Sequence, residues 1–106
     1  MDAMRRPAST VALDRYVVDV LLRDLVGHDK RPAAFLVYLR LLASEAARPG
    51  GGVAASLRDL AEQTGLSRSA VQAAVATLRR RQLITTRRAH ATATPVHRVL
   101  RPWRDR

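Results

Sequence analysis

The sequence predicts a mainly α fold with a small β-hairpin (α+β): a three-helix core, one extra helix before it and a hairpin after it. Three observations predict this. From Asp14 to Leu78 apolar residues recur at helical spacing, and Ser, Asp, Pro and Gly stand at the ends of the periodic runs. From Leu83 to Leu100 that period fades and Thr, Ile and Val take over, a strand-like composition. At 106 residues, 47% hydrophobic and 26% charged, the chain suits one packed domain and argues against disorder.

Residues 1–9 read as a flexible basic arm, and residues 10–106 as a single domain. Within it, residues 10–27 form an extra N-terminal segment and helix, with Asp14 as N-cap and Gly27 as stop. Pro32 suits the first position of the next helix, over residues 32–47, whose stripe is Phe35, Tyr38, Leu39, Leu42 and Ala46. Pro49-Gly50-Gly51-Gly52 ends it as a turn too short to be a domain linker, and Val53 to Ala55 predict a single short strand. Ser56 and Asp59 have capping-box spacing at the start of a helix over residues 56–64. Ser67 caps a further helix over residues 67–81, and residues 83–100 make the hairpin, with its loop at Ala89–Pro95.

The charge narrows the function. Nineteen Lys+Arg against nine Asp+Glu give a net of +10. Residues 1–53 carry 8 basic and 6 acidic side chains, a net of +2, whereas residues 54–106 carry 11 and 3, a net of +8. An excess so concentrated within one small domain implies a functional face and a polyanionic partner, with nucleic acid the commonest. Without cysteine there is no disulfide, thiolate nucleophile or cysteine-ligated zinc, and His28, His90 and His97 lack metal-ligand spacing. Cofactor, metal and catalytic residues are therefore expected to be none. No apolar run approaches the ~18 residues of a membrane span, so a cytoplasmic, nucleoid-associated protein is expected.

The informative stretch runs from Leu57 to Leu78. Ala61 is small where two helices cross, Gly65 supplies the positive φ of a tight turn, and Leu66 fills the angle between the helices. Val71, Ala74, Val75 and Leu78 define the buried side of the second helix. This arrangement resembles the helix-turn-helix of bacterial DNA-binding proteins. Arg79-Arg80-Arg81-Gln82-Leu83-Ile84 resembles the exit into a first wing strand. The order helix, strand, helix, helix, hairpin over Pro32–Leu100 resembles the whole winged helix-turn-helix domain. MarR-like and GntR-like regulators share that order, as do the N-terminal domains of DnaD-like and plasmid replication initiator proteins.

The resemblance implies double-stranded DNA as partner and sorts the polar residues into two sets. Ser67, Arg68, Ser69, Gln72 and Ala73 would meet base edges, Arg pairing with guanine and Gln with adenine. Arg79, Arg80, Arg81, Arg87, Arg88, His90 and Arg98 would meet phosphates at the helix end and wing. The bland readings are a solvated helix end for Arg79–Arg81 and an ordinary surface residue for Gln72. Trp103 is expected to cover a hydrophobic edge of the domain.

Some apolar residues exceed the need of one core contact. Val18, Leu22 and Leu25 form a second stripe on the first helix, and Val37 and Leu41 face away from the main stripe of the next. These five residues either pack within the monomer or join two subunits. A symmetric homodimer is the expectation, because one helix-turn-helix reads only a few base pairs.

The function predicted is that of a small bacterial transcriptional regulator with no enzymatic activity. A plasmid or phage replication or partition factor is the alternative that keeps DNA, and a winged-helix protein–protein adaptor the alternative of another class. The small-molecule effector, the target site and the sign of regulation stay open.

Overall fold

The computed structural model describes residues 10–104. The basic arm expected at residues 1–9 lies outside them. The elements follow in the order α1 (residues 15–28), α2 (Pro32–Ala47), β1 (Val53–Ala54), α3 (Leu57–Thr64), α4 (Arg68–Arg80), β2 (Ile84–Arg87) and β3 (Val96–Val99), then a short 3₁₀ turn at Pro102–Arg104. It is a mostly helical α+β winged helix with a three-stranded antiparallel sheet. The strand order β1-β3-β2 puts β3 in the middle, Val53 opposite His97 on one side and Ile84 opposite Val99 on the other. The turn before β1 runs tight against β3. A Cβ on Gly52, which sits at φ +73°, would come within 2.8 Å of Val96 Cγ1.

α2 is the central helix, packed against α1, α3, α4 and β3. It therefore buries several sides, and Ala34, Val37, Tyr38 and Leu41 are fully enclosed. This corrects the expectation for Val37 and Leu41. They are core residues, buried because α2 has neighbours on both flanks, and they have no surface to offer a second subunit.

α1 explains the same correction at Leu25. Two π turns, Val17–Leu21 and Asp24–His28, widen it, with Asp29 N–H donating to Asp24 O at 2.7 Å and Arg31 N–H to Leu25 O at 2.7 Å. Alternating α and π turns average roughly four residues per turn, so i, i+4, i+8 lines run parallel to the axis. Val17, Leu21 and Leu25 become one buried line. Val18, Leu22 and Val26 become the adjacent line, exposed by 48%, 38% and 39%. Leu25 thus belongs to the core, and Val26 takes its place beside Val18 and Leu22.

The chain end closes onto its beginning. Trp103 stacks on Tyr16 with ring centroids 4.7 Å apart, and its indole N–H donates to the Asp14 carboxylate at 2.8 Å. Arg104 donates two further bonds to Asp14, at 2.7 and 2.6 Å. The Arg104 bonds first and the Trp103 bond second hold the Asp14 carboxyl at about 2. Asp14 therefore does not cap α1 with its side chain, as the sequence suggested; the tail occupies that carboxylate. Arg101 pairs with Glu45 at 2.6 Å, and the buried Tyr38 hydroxyl donates to Leu100 O at 2.8 Å. Together these contacts fix α1, α2 and the tail as one seam.

Candidate nucleic-acid interface

The α3–α4 corner is built from local bonds. Ser56 Oγ accepts from Asp59 N–H at 3.0 Å and the Asp59 carboxylate accepts from Ser56 N–H at 2.9 Å, a complete capping box. That backbone N–H holds the Asp59 carboxyl below its ordinary value. At the other end Gly65 takes φ +80° and its N–H donates to Ala61 O at 2.9 Å, the left-handed cap that glycine adopts most cheaply. Thr64 adds a clamp: its hydroxyl donates to Leu60 O at 2.7 Å and accepts from Leu66 N–H at 3.2 Å. Ser67 then starts α4, its Oγ accepting from Ala70 N–H at 3.1 Å.

α4 has two distinct sides. Val71, Ala74, Val75, Thr77 and Leu78 are buried. Ser67, Arg68, Ser69, Gln72, Ala73, Ala76, Arg79 and Arg80 are exposed. Ser67 is committed to the cap, whereas Arg68, Gln72 and Arg79 make no side-chain bond among the described residues. Arg80 donates only to Thr77 Oγ1, at 3.3 Å.

Arg81 parts from its neighbours. Its guanidinium binds the Asp29 carboxylate and lies 3.9 Å from Asp24, so it bonds the end of α4 to the end of α1. The His28 ring bond first, with the Arg81 charge after it, keeps the Asp29 carboxyl below its ordinary value. The expectation that Arg81 meets phosphate is therefore corrected: two carboxylates from α1 and the following turn already neutralise it.

The wing presents the remaining cations. Arg87 is exposed and makes no side-chain bond among the described residues. Arg88 donates to Ala93 O at 3.1 Å and so braces its own loop, where His90 Nδ1 meets the Thr92 hydroxyl at 3.2 Å. Arg98 donates to Gly50 O at 3.2 Å, which ties the wing to the turn before β1. None of Arg87, Arg88 and Arg98 pairs with a carboxylate among the described residues. The chemistry follows from the sequence: residues 63–104 contain nine arginines and no Asp or Glu.

Sequence reasoning missed His97. It is 2% exposed, with Nε2–H donating to Ala55 O at 3.0 Å and Nδ1 accepting from the Thr86 hydroxyl at 2.9 Å. Burial pushes its pKa down. The alternation of β3, with His97 and Val99 inward and Val96 and Arg98 outward, was the available signal. Among the described residues no group of His, Asp and Glu has the arrangement of a metal site, and no helix is long and apolar enough to cross a membrane.

A capped two-helix corner carrying an exposed basic helix, with a basic hairpin beside it, defines a winged helix-turn-helix DNA-binding domain. Residues 39–88 match the family model of the IclR helix-turn-helix domain. That stretch runs from the second half of α2 to the end of β2, and so includes the whole α3–α4 corner. No curated protein and no solved structure gives a significant match. That match supports DNA binding through a helix-turn-helix of the transcription-regulator type.

Proposed function

We propose that this protein is a small, non-enzymatic bacterial transcription regulator that binds double-stranded DNA in a sequence-specific way. One observation carries the reading: α4 keeps one side in the core and leaves Arg68, Ser69, Gln72 and Ala73 bare on the other, with no carboxylate among the described residues bonded to any of them. The 13 residues of α4 span about 20 Å, and the N-terminal part fits a major groove ~12 Å wide. Ala73 and Ser69 keep the approach close, while Arg68 and Gln72 are long enough to reach guanine and adenine edges. Arg79 and Arg80 at the helix end and Arg87, Arg88, His90 and Arg98 on the wing contact phosphates on either side.

The protein acts as a symmetric homodimer. Val18, Leu22 and Val26 support this, since three large aliphatic side chains stand exposed on one line of α1. A two-fold axis along that line brings two such stripes together, with the Arg15–Asp19 pair, 3.2 Å apart within one protomer, and Arg23 on the adjacent exposed line. Two recognition helices would then read half-sites about 34–36 Å apart, or a multiple of that. The operator would be palindromic, and the dimer would reside on the nucleoid.

Selection on random duplexes tests this reading. The expected result is an enriched palindrome whose binding weakens steeply with salt, each phosphate contact adding ~0.9 to the log–log slope. A pool that emerges without consensus, or affinity indifferent to salt, would refute it.

A further inference from the structure

The exposed side of α4 continues past its DNA-facing half into a groove of about 790 Å³, walled by the free end of the helix, β2 and the tail. Its floor is apolar, made by Ala76, Ile84, Leu100 and Pro102. Its rim is basic, made by Arg79 and Arg80, and neither has a carboxylate partner among the described residues. Arg101 also borders the groove, but Glu45 at 2.6 Å already neutralises it. The groove thus presents two guanidinium groups without a carboxylate partner beside a mainly apolar surface to which Thr85 and Thr86 also contribute.

Gln82 adds a second observation. It stands at φ +58°, in the left-handed region that costs any residue but glycine, and its side chain lines the same groove. Glycine would close this helix with less strain. The end of α4 accounts for that φ, since it lets Leu83 N–H donate to Leu78 O at 2.8 Å, and the exposed Gln82 amide adds a polar group to the groove wall.

The volume lies in the range of small-molecule sites, roughly 300–1,000 Å³. Charge selects the ligand class. A cation is repelled, a neutral apolar molecule leaves two guanidinium groups facing a dry surface, and a bare inorganic anion leaves the apolar floor in water. We propose that this groove binds a small amphipathic organic anion, a flat apolar body carrying a carboxylate, with the carboxylate on Arg79 and Arg80 and the body on Ala76, Ile84 and Leu100. The occupant covers the C-terminal half of the recognition helix and withdraws two phosphate-binding arginines, so its binding competes with DNA. That last step rests on the reading given under Proposed function; the groove itself does not.

Amide chemical-shift mapping by NMR on the DNA-free full chain tests the site, with cinnamate as the probe. Cinnamamide serves as its uncharged isostere and inorganic phosphate as the anion without a body. Saturable shifts centred on Ala76, Gln82 and Thr85 are expected with cinnamate, with affinity at least about tenfold weaker for the other two probes. The R79A/R80A double variant, folded by the same spectrum, should lose about tenfold in cinnamate affinity. Shifts confined to the wing arginines, equal responses to all three probes, or no saturable shift would each overturn the groove. A fluorescence titration with a selected duplex then tests the competition, where saturating cinnamate should weaken binding about fivefold or more. Unchanged duplex affinity at saturation overturns the competition. A cinnamate site on a protein that binds no duplex keeps the groove and removes the DNA reading; duplex binding without cinnamate shifts does the reverse.

Discussion

The arginines of this protein belong to two regions with opposite surroundings. Arg81, Arg101 and Arg104 each meet a carboxylate directly, Asp29, Glu45 and Asp14 respectively, and each bond joins the C-terminal part of the chain to α2, to the turn before it or to the residue preceding α1. Arg68, Arg79, Arg80 and Arg87 meet no carboxylate at all among the described residues. The partners explain the division. Within the described residues every Asp and Glu lies at or before Glu62, so an arginine beyond that point finds an acid only by folding back onto the earlier part of the chain. Positive charge by itself therefore does not mark the proposed DNA-binding face; what sets that face apart is a run of arginines after Glu62 left without a carboxylate partner.

The largest expected effect tests the free set. Replacing Arg79 and Arg80 by Ala should weaken duplex binding about 100-fold at low salt and lower the log–log salt slope by about 2. Unfolding stability should stay within about 0.5 kcal/mol, since both arginines are exposed, neither has a carboxylate partner among the described residues, and Arg80 gives up only its bond to the Thr77 hydroxyl. Titrations at several salt concentrations, together with urea denaturation, measure both. If stability falls and the slope does not change, the two sets have been assigned the wrong way round.

The paired set should behave oppositely. Trp103→Ala removes the stack on Tyr16 and the indole bond to Asp14, and leaves Arg104 as the remaining side-chain partner of that carboxylate. The expected loss is about 2 kcal/mol, less than the ~3–5 kcal/mol of a fully buried aromatic because Trp103 is only half-buried. Duplex affinity of the folded fraction should move by less than about twofold. Denaturation midpoints and binding at low temperature, where the variant stays folded, separate the two outcomes.

The same contrast explains which parts of the molecule were legible from residues alone. The α3–α4 corner was legible because its determinants are local. Ser56 reaches Asp59, Gly65 reaches Ala61, Ser67 reaches Ala70, and the buried face repeats at helical spacing. The seam was not, since Tyr38 meets Leu100 and Asp14 meets Trp103 and Arg104 across most of the chain. No local signal separates Arg81 from Arg80; its partner lies 52 residues earlier. The apolar stripes of α1 and α2 failed for a different reason. An ideal 3.6-residue period assumes no π turns and one buried face, while α1 has two π turns and α2 is buried on several sides.

Within the free set the two ends of α4 should differ in kind. Arg68→Ala removes the long cation at the start of α4, the end that the proposed function sets against bases and not phosphates. Discrimination between the selected site and a variant with one changed base pair should fall about tenfold, while affinity for random duplex changes little. Parallel competition assays measure the two quantities. A uniform loss over all sequences would place Arg68 with Arg79 and Arg80 as a phosphate contact.

The smallest expected effect concerns His97, the buried histidine on the middle strand. Burial lowers its pKa in the folded protein below the ordinary value of 6.5, and the charges of Arg88 and Arg79 act in the same direction against the raising effect of the Ala55 bond. The unfolded chain therefore binds more protons than the folded one between the lowered value and 6.5, and stability rises with pH across that interval. Acidification from pH 7 towards pH 5 should weaken the fold as pH drops through the unfolded value. Asp14, Asp29 and Asp59 do not interfere, because their carboxyls are lowered in the fold and their contribution is lost only below about pH 4. Urea midpoints at pH 7 and pH 5 should differ in the wild type and converge in His97→Gln, whose amide still offers one donor to Ala55 O and one acceptor to Thr86 but cannot take up the proton. If the variant keeps the wild-type difference, the acid sensitivity comes from elsewhere, and the neutral imidazole joining β1 to β2 through β3 is not its source.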